Sequence, residues 1–187
     1  MRLNKVILLL GRRGCGKTTY IKMLIKAALK TKKSILIVDT FDHPAYELVP
    51  RIHPKDIKNI RSGQIVRVFG SETDEILAAC ENFYNGLLIF EDATKFIGKS
   101  LQKPVRRMVV DTKQKNVDLI FLFHGFVACP PELFRNADEL ILMDTGDKPE
   151  TRKDCIPFDD VLKAYNASKN DIKIGVNKYP ARRIILN

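Results

Sequence analysis

Short apolar runs recur along this chain, and the stretches between them carry apolar residues at helical spacing. The first run, Val6-Ile7-Leu8-Leu9-Leu10, predicts a buried strand over Lys5–Leu10. Beyond it, Ile21, Leu24, Ile25, Ala28 and Leu29 share one helical face, and Lys22, Lys26 and Lys30 form the opposite stripe. That pattern predicts a helix over Gly16–Leu29. Ile35-Leu36-Ile37-Val38 predicts a second strand over Ser34–Asp39. The segment Thr40–Ser62 is basic and spaced by Pro44, Pro50 and Pro54, so it predicts a connection with only short helical turns. Further strands are predicted at Ile65–Phe69, Leu87–Phe90, Asp118–Phe123 and Glu139–Met143. Helices are predicted at Thr73–Tyr84 and Leu101–Lys115, then at Phe158–Ser168, with a terminal strand at Arg183–Leu186. Apolar strands alternating with amphipathic helices imply an α/β domain of three layers, its mostly parallel sheet covered on both faces. No internal repeat or low-complexity linker interrupts the order. The chain reads as one domain, a core over 1–147 with 148–187 as an appendage packed on it.

The turn after the first strand carries the chemistry. Residues 11 to 18 are Gly-Arg-Arg-Gly-Cys-Gly-Lys-Thr, the pattern G-x-x-x-x-G-K-S/T between a predicted strand and a predicted helix. Gly11, Gly14 and Gly16 let the backbone curl so that successive N–H groups face phosphate oxygens. Lys17 supplies a positive charge for the β- and γ-phosphates, and Thr18 a hydroxyl for Mg²⁺. The helix that starts here adds its positive dipole end. Gly11 through Thr19, including Arg12, Arg13 and Cys15, are therefore the candidate nucleotide-binding residues, with ATP and Mg²⁺ as the ligands. The plain alternative is a glycine-rich turn with a chance Lys-Thr.

A second site follows the fourth predicted strand, which ends in Glu91-Asp92. Two carboxylates at the end of a buried strand are costly unless they meet a cation, and parallel sheets place ligands at that edge. By position Glu91 serves the metal and Asp92 activates water for attack on the γ-phosphate. Helix-capping acids are the alternative. The next strand ends in His124, where a polar side chain can sense the γ-phosphate; a histidine bonded to a backbone carbonyl would look the same.

The chain has 187 residues, of which 45% are hydrophobic and 29% charged, as a soluble, ordered domain requires. Its formal net charge of +10 points to a polyanionic partner, nucleic acid before anionic membrane. Lys103, Arg106 and Lys113, in the basic stretch Lys99–Lys115, are the candidate nucleic-acid contacts. The Lys22, Lys26, Lys30 stripe is equally well explained as a solvated helix face. Four cysteines, at 15, 80, 129 and 155, show no zinc spacing and read as reduced thiols of a cytoplasmic protein. No apolar run approaches the length of a membrane span, so no integral membrane segment is expected. The N-terminal run is too short for a signal peptide and leads into Arg12-Arg13.

This ordered set of motifs resembles the additional-strand, catalytic-glutamate class of P-loop ATPases. Within that class it resembles the FtsK–HerA superfamily of DNA-pumping motors, especially the small viral and plasmid-type members. The resemblance covers about Leu3–Asp144. Its finer part is Asp118–Asp144, where a strand and sensor lead into Phe126-Val127-Ala128-Cys129-Pro130-Pro131-Glu132-Leu133-Phe134-Arg135-Asn136-Ala137-Asp138 and then another strand. Two departures stand out: the acidic pair is Glu-Asp rather than Asp-Glu, and the sensor is His rather than Gln or Asn. The resemblance implies a RecA-like strand order, with the sensor strand between the strands that end in the phosphate loop and in the acidic pair. It implies a homo-oligomeric ring, often of six subunits, around double-stranded DNA, and viral or plasmid partner proteins. It also implies an arginine finger from the neighbouring subunit. Arg107 and Arg135 are both placed for it; Arg107 is the preferred candidate, and Arg106 beside it could do the same work.

Other readings of the same residues are open. Asn177-Lys178-Tyr179-Pro180 has Pro where a guanine-reading Asp would sit, which argues against a GTPase. A nucleotide or nucleoside kinase would use Lys99–Lys115 as an arginine-rich lid, and would form ADP only with an added acceptor. A nucleotide-switched assembly ATPase would respond to a partner and ignore DNA.

Overall fold

The computed structural model describes residues 4–39, 42–70, 72–98 and 100–186. Met1, Leu3, Thr40, Lys99 and Asn187, which bound segments expected above, lie outside those residues. The strands are β1 (Val6–Leu10), β2 (Ser34–Asp39), β3 (Ile65–Phe69), β4 (Gly86–Phe90), β5 (Val117–Phe123), β6 (Glu139–Leu142) and β7 (Arg182–Ile185). The helices are α1 (Lys17–Lys30), α2 (Thr73–Cys80), α3 (Lys103–Val110), α4 (Thr112–Lys115), α5 (Pro131–Asn136) and α6 (Phe158–Lys173). Short 3₁₀ turns at Pro44–Tyr46 and Pro54–Asn59 fill the proline-spaced connection.

The described residues form one seven-stranded sheet in the order β3-β2-β4-β5-β1-β6-β7. Every neighbouring pair is parallel except β6 with β7. Strand β5 therefore lies between β1 and β4, the order expected of the RecA-like class. Alternation along each strand sends residues to opposite faces. Leu8, Leu10, Val38, Phe90, Phe121 and Phe123 join the larger core, with Leu77, Val105, Met108, Leu133 and Val161 from α2, α3, α5 and α6. Leu9, Ile37, Ile89, Ile120 and Ile141 face the other way, onto Ile21 and Ile25 of α1 and onto Tyr46. Parallel strands buried on both faces read as continuous apolar runs, which is why the sequence pattern located them.

Two helices differ from the sequence pattern. The single stretch expected over Leu101–Lys115 is broken at Asp111, which leaves helical geometry at φ −86° and ψ 3°. Helix α2 ends at Cys80, and Asn85, in the left-handed region at φ 55°, turns the chain into β4. Beyond β6, α6 runs through to Lys173, with Asp159 and Asp160 in its first turn and Lys173 in its last, a charge order that suits the helix dipole. Strand β7 then closes the far edge of the sheet against β6, so part of 148–187 is continuous with the core sheet.

Candidate active site

The parallel strands all end at one edge, and the loops there meet in a cleft of about 1050 Å³. The phosphate loop leaves β1 and enters α1 through Gly16, which sits in the left-handed region at φ 93°. No side chain caps α1, and its first turn holds no acid, so its leading N–H groups face outward as anion donors. A Cβ on Gly11 would collide with the Cys15 thiol and press on Met143, so only glycine lets the loop fold this tightly.

The loop residues divide by function. Arg13, Gly14, Gly16, Lys17, Thr18 and Thr19 line the cleft. Gly11 lies at its base, where its N–H donates to Phe123 O at 3.1 Å. Cys15 is 6% exposed, its side chain belongs to the α1-side core, and it is not among the residues that line the cleft. Burial raises the Cys15 thiol above its ordinary value, which keeps it protonated. Arg12 turns away from the cleft: its guanidinium pairs with buried Asp144, whose backbone O also accepts from Arg12 N at 2.7 Å. Lys169 of α6 donates to Asp144 Oδ1 at 2.6 Å and to Thr145 O at 2.7 Å. The C-terminal helix thus braces the phosphate loop through one carboxylate. Lys17 Nζ donates to Gly11 O and, at 3.0 Å, to Arg12 O; burial lowers its pKa, and the carboxylates of Glu91 and Asp92 act the other way.

Glu91 and Asp92 stand across from the loop. Glu91 is buried at the end of β4, and its Oε1 accepts from the Thr18 hydroxyl at 3.3 Å. Its other oxygen accepts from the Tyr46 hydroxyl at 2.9 Å. Burial pushes the Glu91 carboxyl above its ordinary value, while those two bonds and the charges of His43 and Lys17 act the other way. A hydroxyl and a carboxylate that already touch form a hard-oxygen pair suited to Mg²⁺, which takes one or two protein oxygens and completes its shell from substrate phosphates and water. Asp92 holds a left-handed conformation at φ 52°, a geometry that aspartate tolerates better than most residues. Its carboxylate accepts from Thr94 Oγ1 and lies 3.6 Å from His124 Nε2. That separation is within ion-pair reach and beyond a direct hydrogen bond, so the two side chains flank one small space.

Lys17, Thr18, Glu91, Asp92 and His124 are thus brought together. The basic stretch is not. No described residue from 100 to 115 lines the cleft, because Val105, Met108 and Val109 seat α3 in the core. The lid that a kinase reading required is therefore a packed helix. Lys103, Arg106, Arg107 and Lys113 are exposed along one side of α3 and α4. Arg106 makes a two-pronged bond to Glu132, at 2.7 and 2.9 Å, and Arg107 lies 3.5 Å from Glu81. Arg135 is exposed on α5.

The sequence reading missed several residues of the cleft. Asp39 ends β2 beside Glu91, with Arg67 Nη1 at 3.5 Å and His43 N donating to it at 2.8 Å. An acid that closes a buried strand was a legible signal, the same one that marked Glu91. Tyr46 and His43 gave no such signal, because nothing local in their segments marks them; Tyr179 lies in Asn177-Lys178-Tyr179-Pro180, which its local pattern marked only as an incomplete guanine-reading motif.

The chain resembles several solved structures. Genome packaging NTPase B204 from Sulfolobus turreted icosahedral virus 2, bound to AMP, matches with a TM-score of 0.78 at 16% identity over 99% of this chain and 94% of that one. The same protein with ATP-gammaS matches at 0.75 and 18%, over 100% and 94%. The fold is that of a P-loop NTPase. The DNA-packaging ATPase B204 from Sulfolobus turreted icosahedral virus matches this P-loop chain at 0.72 and 17%, over 100% and 95%. A KaiC-like protein from Pyrococcus horikoshii matches at 0.53 and 15%, over 79% and 76%. No protein-family profile matches the sequence, and no curated protein matches it either. Among the described residues, no helix is long and apolar enough to cross a membrane.

Proposed function

We propose that this protein is an Mg²⁺-dependent ATPase that drives DNA translocation or genome packaging as a homo-oligomeric ring in the cytoplasm. The observation that carries the reading is the convergence of Lys17, Thr18, Glu91, Asp92 and His124 on one cleft. Lys17 and the N–H groups at the start of α1 hold the β- and γ-phosphates. Thr18 and Glu91 hold Mg²⁺, which when bound neutralises charge on the phosphate oxygens. Asp92 accepts the proton of the attacking water, and His124 stands beside it to contact the γ-phosphate.

Action on DNA is supported by the net charge of +10, by the exposed Lys103 and Lys113, and by the packaging activity named for similar structures. Arg106 shares its charge with Glu132, so Lys103 and Lys113 are the stronger candidates for contacting phosphates. Viral or plasmid proteins would be the further partners.

The test is ATP hydrolysis with and without double-stranded DNA, read beside the mass in solution. Hydrolysis should rise with DNA, DNA affinity should fall steeply with salt, and the mass should be a multiple of 21.3 kDa. Lys17→Ala should abolish turnover. Hydrolysis indifferent to DNA by a monomer would refute the motor, and near-normal turnover by Lys17→Ala would refute the site.

A further inference from the structure

The cleft is chemically two-ended. One end holds Asp39, His43, Glu91, Asp92 and His124; the other holds Tyr20, Met23, Met143, Tyr179 and Ala181. The phosphate loop lies between them. Tyr179 reaches this place because β7 is antiparallel. Arg182 pairs with Leu142, so the residues just before β7 arrive at the edge where β6 and the other strands end. Met143 N donates to Leu10 O at 2.9 Å at that same edge. Tyr179 then packs on the loop itself: a Cβ placed on Gly16 would lie 3.6 Å from Tyr179 Cβ and 3.7 Å from its ring. The Asn177 carboxamide accepts from Tyr179 N at 2.9 Å and holds the turn, and the Lys178 ammonium stands 5.5 Å from the ring centroid. Tyr179 is nonetheless 49% exposed, and Met23 across the cleft mouth is 62% exposed. Large apolar side chains this exposed beside a phosphate-binding loop form a slot for a flat apolar ligand.

We infer that Tyr179 stacks on the base of the bound nucleoside triphosphate, and that the site holds the base without reading its edge. This rests on the proposed nucleotide site. Among the described residues that line that end there is no Asp, Glu, Asn or Gln side chain; Asn177, beside Tyr179 and outside the lining, already accepts from Tyr179 N through its carboxamide oxygen, and Lys178 stands over the ring rather than at the edge of a stacked base. A site that discriminates between bases needs buried donors and acceptors that a wrong base leaves unpaired. Stacking on an aromatic ring needs none, because every base has a π-face. The C-terminal segment thereby becomes part of the active site, and the protein a nucleoside triphosphatase tolerant of base identity.

The experiment is calorimetric titration of the full chain, with Mg²⁺, by ATP, GTP and inorganic tripolyphosphate. Wild type should bind ATP and GTP within about tenfold of each other, well inside the discrimination of a site that reads polar groups. Tyr179→Ala should weaken both by roughly 5- to 150-fold, the range that stacking on one ring spans, and leave tripolyphosphate unchanged. Tyr179→Phe should match wild type. Unaltered ATP affinity in Tyr179→Ala would overturn the inference. So would a parallel loss of tripolyphosphate affinity, or rejection of GTP by more than about a hundredfold. Lys17→Ala separates the two levels. If it still binds all three ligands, the nucleotide site itself is misplaced. If it loses all three while Tyr179→Ala loses none, only the stacking role fails.

Discussion

The hydrogen bond from Tyr46 to Glu91 allows a sharp test of how the acid proposed to hold Mg²⁺ is set in place. Tyr46 is buried beneath the 3₁₀ turn Pro44–Tyr46, and its hydroxyl donates to Glu91 Oε2 at 2.9 Å. Tyr46→Phe removes that one oxygen and leaves the ring in its packing with the α1-side core. The carboxylate then keeps only the 3.3 Å bond from Thr18 among the hydrogen bonds it accepts from side chains. A hydrogen bond to a charged group contributes about 1.5–3 kcal/mol, and its loss inside a protein leaves the acceptor's desolvation uncompensated. Burial already disfavours the ionised form of Glu91, and losing the donor disfavours it further. At 1.36 kcal/mol per tenfold, the charged, metal-ready state becomes about 10- to 150-fold less favourable. The assay is ATP hydrolysis as a function of Mg²⁺ at saturating ATP and constant pH. The half-saturating Mg²⁺ concentration should rise, by at most that factor, and kcat at saturating Mg²⁺ should stay near wild type, because Asp92 and His124 are untouched. A fall in kcat that excess Mg²⁺ does not restore would refute the reasoning. So would an unchanged Mg²⁺ requirement in a variant whose only defect is a lower melting temperature.

Asp92→Asn keeps the tolerance for φ 52° while removing the charge, so it should bind ATP normally and hydrolyse it about 10²–10⁴-fold more slowly, whereas Glu91→Gln should raise the Mg²⁺ requirement. Exchanged phenotypes in single-turnover assays would show that the two acids have the opposite roles. Arg107→Ala and Lys17→Ala subunits, each inactive alone, should regain hydrolysis when mixed if Arg107 acts on a neighbour's γ-phosphate; no recovery in a verified mixed ring would pass that role to Arg106 or Arg135. Glu139 anchors the start of β6, accepting from Arg183 Nε at 2.8 Å and pairing with Lys5. Burial alone would raise its carboxyl, but the bonds from Arg183 and Lys5 outweigh this and hold it below the ordinary glutamate value. The unfolded chain therefore takes up this proton at a higher pH than the folded one, and the contribution of Glu139 is present above the ordinary glutamate pKa and lost as pH falls through its depressed value. Glu139→Gln should cost about 2 kcal/mol in urea denaturation at neutral pH, with the difference shrinking on acidification; a difference that grows in acid would contradict the sign.

What the sequence determined by itself was everything that depends on near neighbours. The glycines, Lys17 and Thr18 lie within a few residues, and the roles proposed for them follow from the strand before and the helix after. Glu91-Asp92 and His124 were legible because each closes an apolar run, and parallel strands bring all such ends to one edge. The single helix expected over Leu101–Lys115 breaks at Asp111, and the apolar spacing did not show it because the pattern of buried positions continues across the break with Thr112. Only the tertiary structure decided the rest, because each remaining feature joins residues far apart in the chain. Tyr46 meets Glu91 because the proline-spaced connection folds under the cleft. Arg12 turns from the cleft because Asp144, just past the end of a different strand, is a buried anion that pairs with it. Arg106 is paired because α5 sets Glu132 beside α3. Tyr179 enters the cleft because β7 alone runs antiparallel, and a reversed strand brings its preceding turn to the edge where every parallel strand ends.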